Sequence, residues 1–269
     1  MTDKYCVIGN PIAHSKSPEI HPRYAAQTGQ DLVYERCLAP LDGFEATVRR
    51  LVAEGYRGAN VTLPFKLEAA RVCTRLEERA RAAGAVNTLV FAYGEIVGDN
   101  TDGPGLVADI TRNAGVAIRG KRVLLLGAGG AARGALLPLV QEGPREIVIA
   151  NRTVATAEAL ARDFSRHGVP IAASGFAQVE GGFDIVVNAT SGSIAGEVPP
   201  VPATVFGPDA LALDMMYGNK PTVFMDFAAS HGATVRDGLG MLVEQAAEAF
   251  AIWRGVRPST SDVLTMMRP

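Results

Sequence analysis

The segment "NVTLPFK", residues 60–66, sets the amide of Asn60, the hydroxyl of Thr62 and the ammonium of Lys66 within seven positions of a strand-like run. Side chains alternate along a strand, so Asn60 and Thr62 share a face. Pro64 starts a helix and places Lys66 in its first turn, where the helix dipole opposes a cation. A carboxylate or an anionic ligand therefore has to hold Lys66, unless it is simply solvated. Arginine outnumbers lysine 21 to 5 in this chain. Unlike guanidinium, the ammonium of Lys66 can shed its proton, which suits acid–base chemistry.

Three other stretches combine polar groups in the same way. In "GNPIAHSKSP", Ser15 and Ser17 precede Pro18 at a helix start, although Ser17 could also be an N-cap with proline at the first helical position. "GAVNT" presents Asn87 on a short strand. "GDNTDG" presents Asp102, which could equally cap the helix that follows. All fall at strand ends or helix starts, where open α/β sheets bind ligands. His14 and His21 have no partner spacing that suggests a metal or a base, and structural or surface roles are expected for both.

A different chemistry is encoded by "KRVLLLGAGGAARG", a buried-strand run opening onto glycines and then a helix. Gly127, Gly129 and Ala132 match G-x-G-x-x-A, which permits a tight turn, close approach of a pyrophosphate and tight helix–strand packing. Phosphates would rest at the helix N-terminus, on free N–H groups. Pro138 is expected to kink or shorten this helix. At the end of the next strand, where NAD sites carry an acid for the ribose hydroxyl, the chain has Asn151, Arg152 and Thr153. A 2′-phosphate would be welcomed by guanidinium, amide and hydroxyl, so NADP is favoured over NAD. The plainer alternative makes Thr153 an N-cap and Arg152 a surface charge.

These groups need elements to position them, and the chain supplies an alternation of strand-like and helix-like stretches from end to end. That pattern predicts helices packed on mostly parallel sheets. Residues 66–84 read as one helical stretch through "ARVCTRLEERARAAG". The junction between two domains is expected near residues 100–115. The last long helix, with its apolar stripe of Leu242, Ala246, Ala249 and Trp253, is expected to pack back on the first domain. A length of 269 residues suits two domains of ordinary size. The net charge of −2 and the absence of a basic block argue against nucleic acid or an anionic membrane as partner. No run of about 18 apolar residues could span a bilayer, and the N-terminus lacks a signal pattern. Cys6, Cys37 and Cys73 match neither a disulfide framework nor a metal spacing, which suits a reducing cytoplasm.

Taken together, "GNPIAHSKSP", "NVTLPFK", "GAVNT", "GDNTDG", "GAGGAARG", "NRT", "NATS" and "GLGMLVEQAAEAF" resemble the shikimate dehydrogenase family, in the family's order and over nearly the whole chain. The resemblance implies an α/β protein of two domains. Residues 1–101, with 239–269 packing back, would form the substrate-binding domain, and 102–238 a Rossmann-type NADP domain, with a cleft between them. It implies a cytoplasmic, monomeric or homodimeric oxidoreductase that reversibly reduces 3-dehydroshikimate to shikimate with NADPH. By motif, Ser15 and Ser17 would hold the substrate carboxylate with Tyr217 nearby. Asn60, Thr62, Asn87 and Gln245 would bind ring hydroxyls, and Lys66 and Asp102 would act at the reacting oxygen. Gly127, Ala128, Gly129, Gly130 and Ala131, with Asn151, Arg152, Thr153 and Thr156, would bind the dinucleotide. Met215 and Gly238 would flank the nicotinamide, and Glu78 would align with a position sometimes assigned to cofactor contact.

The implied chemistry fits the residue types. Hydride delivered to a ketone carbon leaves negative charge on oxygen, which a positioned proton donor must neutralise. Lys66 can supply that proton, and Asp102 can orient it. Paired amides and hydroxyls suit a polyhydroxylated ring and reject analogues that lack its hydroxyls. Three rival readings are a quinate/shikimate dehydrogenase of looser cofactor choice, a glutamyl-tRNA reductase-like enzyme, and a non-catalytic NADP-binding module. The second needs a nucleophilic cysteine and a basic surface, and Cys6 instead sits in a buried-strand run. The third has no use for Lys66 and Asp102.

Overall fold

The computed structural model describes residues 2–268. The chain divides into two compact units, one formed by residues 1–105 with 243–269, the other by residues 106–242.

The first unit is built on β1 (Asp3–Gly9), α1 (Ser17–Thr28), β2 (Leu32–Leu38), α2 (Phe44–Ala53), β3 (Tyr56–Val61), α3 (Lys66–Val72), β4 (Arg75–Leu76), α4 (Glu78–Ala83), β5 (Thr88–Ala92) and β6 (Glu95–Asp99). Its six strands run in the order β2-β1-β3-β5-β6-β4. β1 pairs parallel with β2 and β3, whereas β5 is antiparallel to both β3 and β6. The central strand β1 is buried along its last five residues, "YCVIG", because helices cover both faces of a parallel strand. One core packs Cys6, Ile8, Phe44, Val61, Phe65 and Leu89 together. A second, smaller cluster of Tyr5, Val7, Ile12 and Tyr34 packs with Trp253 on the C-terminal segment.

The single helix expected through residues 66–84 is two helices separated by an edge strand. Cys73 is extended (φ −70°, ψ 137°), and Arg75 and Leu76 then pair with Val97 and Gly98. Gly98 is required there, because a Cβ would lie 2.5 Å from the Cys73 sulfur. Helical periodicity ran through this break because short edge strands leave almost no pattern of their own.

α5 (Asp102–Ala108) begins in the first unit and continues as a π-helical turn, Asp109–Asn113. The second unit then carries β7 (Arg122–Leu126), α6 (Gly130–Gln141), β8 (Glu146–Ala150), α7 (Val154–Phe164), β9 (Ile171–Ser174), β10 (Phe183–Asn188), β11 (Phe206–Asp214), α8 (Val223–Ser230) and β12 (Thr234–Arg236). Finally, α9 (Leu239–Arg254) and α10 (Ser261–Met267) return the chain to the first unit. The second sheet has the order β12-β11-β10-β7-β8-β9 and every pair in it is parallel. This is the doubly wound arrangement, with its reversal of strand order between β7 and β10.

The boundary falls after Gly105 rather than after residue 101, and the chain rejoins the first unit at Val243 rather than at residue 239. Asp102 therefore belongs to the first unit, tied to it by the side-chain bonds described below. Pro138 lies inside α6 and the helix runs on to Gln141. The bond that proline forfeits falls on Gly134, which has no Cβ to crowd the ring. Among the described residues no helix is long and apolar enough to cross a membrane.

Candidate active site

In the first unit, Lys66 is the first residue of α3, and its Nζ donates to Oδ2 of Asp102 at 2.6 Å. The side chains remain 30% and 22% exposed, so the pair is open to a ligand while being largely sheltered. Asp102 opens α5, yet its carboxylate is not spent on capping. Its second oxygen, Oδ1, accepts from Nδ2 of Asn87 at 2.9 Å. Both carboxylate oxygens are thus held by N–H donors, and of the two groups the ammonium is the one with hydrogens to donate.

Asn87 is itself buried and tightly constrained. Its Oδ1 accepts from the Thr101 backbone N–H (2.8 Å) and from the Thr88 hydroxyl (3.0 Å), while Nδ2 also reaches Thr101 Oγ1 (2.9 Å) and Gln245 Oε1 (3.3 Å). Gln245, on α9, additionally accepts from the Thr101 hydroxyl at 3.3 Å. Asn60 is brought to the same cluster, with both N–H groups and one acceptor site of its amide engaged by protein. Oδ1 accepts from the Tyr34 phenol (2.7 Å), and Nδ2 donates to the Asn87 carbonyl and to Thr88 Oγ1 (both 3.2 Å). Asn60 thus braces the cluster from beside Asn87, whose amide is bonded at least as fully.

Thr62 follows β3 and is partly buried; its backbone N–H donates to Ile8. Ser15 is partly exposed, and Ser17 is buried. The helix starts differently from the expectation: Lys16 occupies the N-cap, and Ser17 is already the first helical residue. No side chain caps α1, so the Ser17 hydroxyl is not consumed as a cap.

Behind Asp102, Arg79 grips Asp99 with two bonds (2.7 and 2.9 Å) and Glu248 with a third (2.9 Å). This network holds the end of β6 from which Asn100, Thr101 and Asp102 continue. The carboxylate of Glu248 stays below the usual range: the two arginines, Arg79 and Arg257, outweigh the burial that would raise it. Glu78, the neighbour of Arg79, lies exposed at the start of α4 in the first unit, whereas every other cofactor candidate falls in the second.

In the second unit, Gly127 follows β7 in the left-handed region (φ +101°), and a Cβ there would sit 3.2 Å from the Thr190 methyl. Ala128 is half-buried, and Gly129, Gly130 and Ala131 are exposed at the N-terminus of α6. No side chain caps this helix, and nothing lies within 4 Å of where a Cβ on Gly129 or Gly130 would project. The open N–H groups fit an anion. Arg152, Thr153 and Thr156 are exposed next to β8, with Asn151 half-buried and its Nδ2 bonded to the Thr153 carbonyl at 2.9 Å. Thr153 does occupy the N-cap of α7, but its side chain makes no cap bond, so its hydroxyl is available. The donor set of guanidinium, amide and hydroxyls fits a phosphate on the adenosine ribose.

Met215 and Gly238 are brought together. A Cβ on Gly238 would lie 2.2 Å from the Met215 carbonyl oxygen, so only glycine fits. The turn after β11 is organised by Asp214, which is fully buried and accepts from Ser193, Thr222 and the Met216 N–H (2.6, 2.6 and 3.0 Å). Tyr217 lies beyond this turn, 41% exposed, with partial burial pushing its phenol pKa up.

Thr88, Thr101, Arg79 and Asp214 were not singled out from sequence. A threonine in a strand reads as a β-former, and an arginine in a polar helix as a surface charge. The signal for Thr88 and Thr101 was their place in "GAVNT" and "GDNTDG", directly beside Asn87 and Asp102.

The chain matches family models for the shikimate dehydrogenase substrate binding domain over residues 7–89, shikimate / quinate 5-dehydrogenase over 109–195, and the shikimate 5'-dehydrogenase C-terminal domain over 238–265. It belongs to the shikimate dehydrogenase family. A shikimate dehydrogenase (NADP(+)) of Janthinobacterium sp. (strain Marseille) is 62% identical over 99% of this chain and 97% of its own length. One from Herminiimonas arsenicoxydans is 63% identical over 100% and 98%. The structure of shikimate 5-dehydrogenase from Thermus thermophilus in complex with NADP(H) and shikimate superposes with a TM-score of 0.84 at 31% identity, covering 99% of each chain. The shikimate dehydrogenase fold class, two sheets with a Rossmann-type second unit, agrees with the expectation from sequence.

Proposed function

We propose that this chain catalyses the reversible NADPH-dependent reduction of 3-dehydroshikimate to shikimate. The observation that carries the reading is the Lys66–Asp102 pair at 2.6 Å, braced on its far side by Asn87, in a chain that covers 97% and 98% of the length of two NADP-dependent shikimate dehydrogenases.

NADPH supplies the hydride. What the protein supplies is proton management and grip. Lys66, as ammonium, gives a proton to the oxygen that becomes anionic as the ketone is reduced; in the oxidative direction the amine accepts it. Asp102 orients that ammonium and offsets its charge. Asn60, Thr62, Asn87 and Gln245 present acceptors and donors to ring hydroxyls, and Ser15 and Ser17 hold the carboxylate, with Tyr217 as a further contact. In the second unit, Gly127 to Ala131 cradle the pyrophosphate and Met215 with Gly238 flank the nicotinamide. Asn151, Arg152, Thr153 and Thr156 hold the adenosine end and its 2′-phosphate. Glu78 has no chemistry that suits a phosphate and is kept only as a position carried over by motif. We further propose a cytoplasmic monomer or homodimer, tested by light scattering and by cell fractionation.

The test is absorbance at 340 nm with purified protein, shikimate or quinate crossed with NADP or NAD. Turnover with shikimate and NADP well above the other three combinations is expected. Comparable turnover of quinate, or a flat trace with shikimate and NADP, would overturn the reading.

A further inference from the structure

We propose that Thr88 is a positioning residue: its hydroxyl, held by Asn60, keeps the Asn87 carboxamide turned so that its N–H donates to Asp102. The proposal rests on the reading of Lys66 and Asp102 as the proton-handling pair.

The orientation of Asn87 follows from what each neighbour can do. The Thr101 backbone N–H can only donate, and it lies 2.8 Å from Oδ1. The Asp102 carboxylate, engaged by the Lys66 ammonium, accepts, and it lies 2.9 Å from Nδ2. A flipped amide would set two oxygens face to face at Asp102 and two donors face to face at Thr101. This arrangement is stable only while the donors behind Asn87 keep pointing at its oxygen.

Two hydroxyls, Thr88 at 3.0 Å and Thr101 at 3.2 Å, are the adjustable donors on that oxygen, and Thr88 makes the shorter bond. It is fully buried, so no water can replace its bond. A hydroxyl has a single hydrogen. Nδ2 of Asn60 donates into the Thr88 oxygen at 3.2 Å, and the hydroxyl hydrogen is aimed at Asn87 Oδ1 at 3.0 Å, with Thr101 Oγ1 3.3 Å away. Asn60 cannot turn to escape this duty, since Tyr34 donates to its oxygen at 2.7 Å and its other hydrogen serves the Asn87 carbonyl. A continuous chain of oriented bonds therefore runs from the Tyr34 phenol through Asn60, Thr88 and Asn87 to Asp102 and Lys66. Its consequence is directional: a change at Thr88 reaches the proton step through Asn87, although Thr88 itself is not one of the proposed substrate contacts.

The experiment compares wild type with Thr88→Val, which keeps shape and loses the hydroxyl, and Thr88→Ser, which keeps the hydroxyl. Lys66→Ala serves as the marker of the underlying reading. For Thr88→Val we expect kcat with shikimate and NADP to fall about tenfold or more, with KM for shikimate moving less than threefold. The solvent deuterium isotope effect on kcat should rise, because the impaired step moves a proton. Thr88→Ser should restore kcat to within about threefold of wild type and return the isotope effect to normal. A Thr88→Val protein with a lowered melting temperature but normal kcat and isotope effect would overturn the proposal, as would a Thr88→Ser protein that behaves like the valine variant. If Thr88→Val does not fold, Thr88→Cys carries the same comparison with a feebler donor. Should Lys66→Ala retain turnover, the proton-handling reading itself fails; an inactive Lys66→Ala beside a normal Thr88→Val sinks only the present proposal.

Discussion

The two units handle polar groups in opposite ways. In the first, the candidate chemistry lies in a closed network where Asn60, Asn87, Thr88 and Thr101 satisfy one another and only Lys66 and Asp102 keep part of their surface open. In the second, the candidate cofactor groups are left unspent: Gly129, Gly130, Ala131, Arg152 and Thr153 are exposed, and neither α6 nor α7 has a side-chain cap. The contrast follows from the tasks. Moving a proton requires donors fixed before the reaction begins, because reorienting them would add to the barrier. Holding a dinucleotide requires N–H groups and cations that gain a partner only when the phosphate arrives.

The strongest way to break this comparison is at the closed end. Lys66→Ala is expected to lower kcat by roughly 10²–10⁴-fold, the usual contribution of a positioned acid–base group, with KM for shikimate within an order of magnitude. Steady-state assays in the oxidative direction measure both, and near-normal turnover would remove the lysine from the mechanism.

Acid sharpens the same end. His21 is 1% exposed, stacks on Tyr34 with ring centroids 4.2 Å apart, and has Asn60 as a weak polar partner. Burial holds its pKa down to about 3 against an ordinary 6.5. Between those values the unfolded chain binds a proton that the folded chain refuses. Stability from this group is therefore complete above pH 6.5 and is lost as pH falls toward 3, at roughly 1.4 kcal/mol per pH unit. Urea denaturation at pH 6.5 and pH 4.5 should show His21→Phe losing roughly 2–3 kcal/mol less than wild type over that interval. Equal losses would mean that the imidazole is not the acid-sensitive group.

At the open end, Gly127→Ala puts a side chain at φ +101° and 3.2 Å from Thr190. A cost of about 1–3 kcal/mol in stability with weakened NADP binding is expected from thermal melts and cofactor titration. Arg152→Ala is milder. It is expected to weaken NADP binding about tenfold with NAD use little changed, and equal losses for both cofactors would contradict the 2′-phosphate role.

Much of this architecture could be read from the chain before any coordinates. The glycine turn, the parallel strands around it and the absence of an acid after β8 are local features, and local spacing reports them. Lys66 stood out because its place in a helix start was electrostatically poor, and Asp102 because "GDNTDG" sets it at a strand end, though its role came from the resemblance. What stayed hidden were partnerships across long sequence separations, such as Asn87 with Gln245, 158 residues apart, and Arg79 with Glu248, 169 apart. The break at Cys73 was hidden for another reason: a two-residue edge strand has too short a period to register. Asn60 was legible as a residue of the site, but its part as a brace depended on Tyr34, which no pattern connects to it.

The discontinuity of the first unit also bears on synthesis. Residues 106–242 leave the ribosome as an uninterrupted run and can complete their sheet as they emerge. The first unit cannot, because Gln245, Glu248 and Trp253 belong to its clusters and emerge only after the whole second unit. A nascent chain therefore carries Lys66, Asn87 and Asp102 through the synthesis of all of residues 106–242 before the helix that completes their surroundings appears.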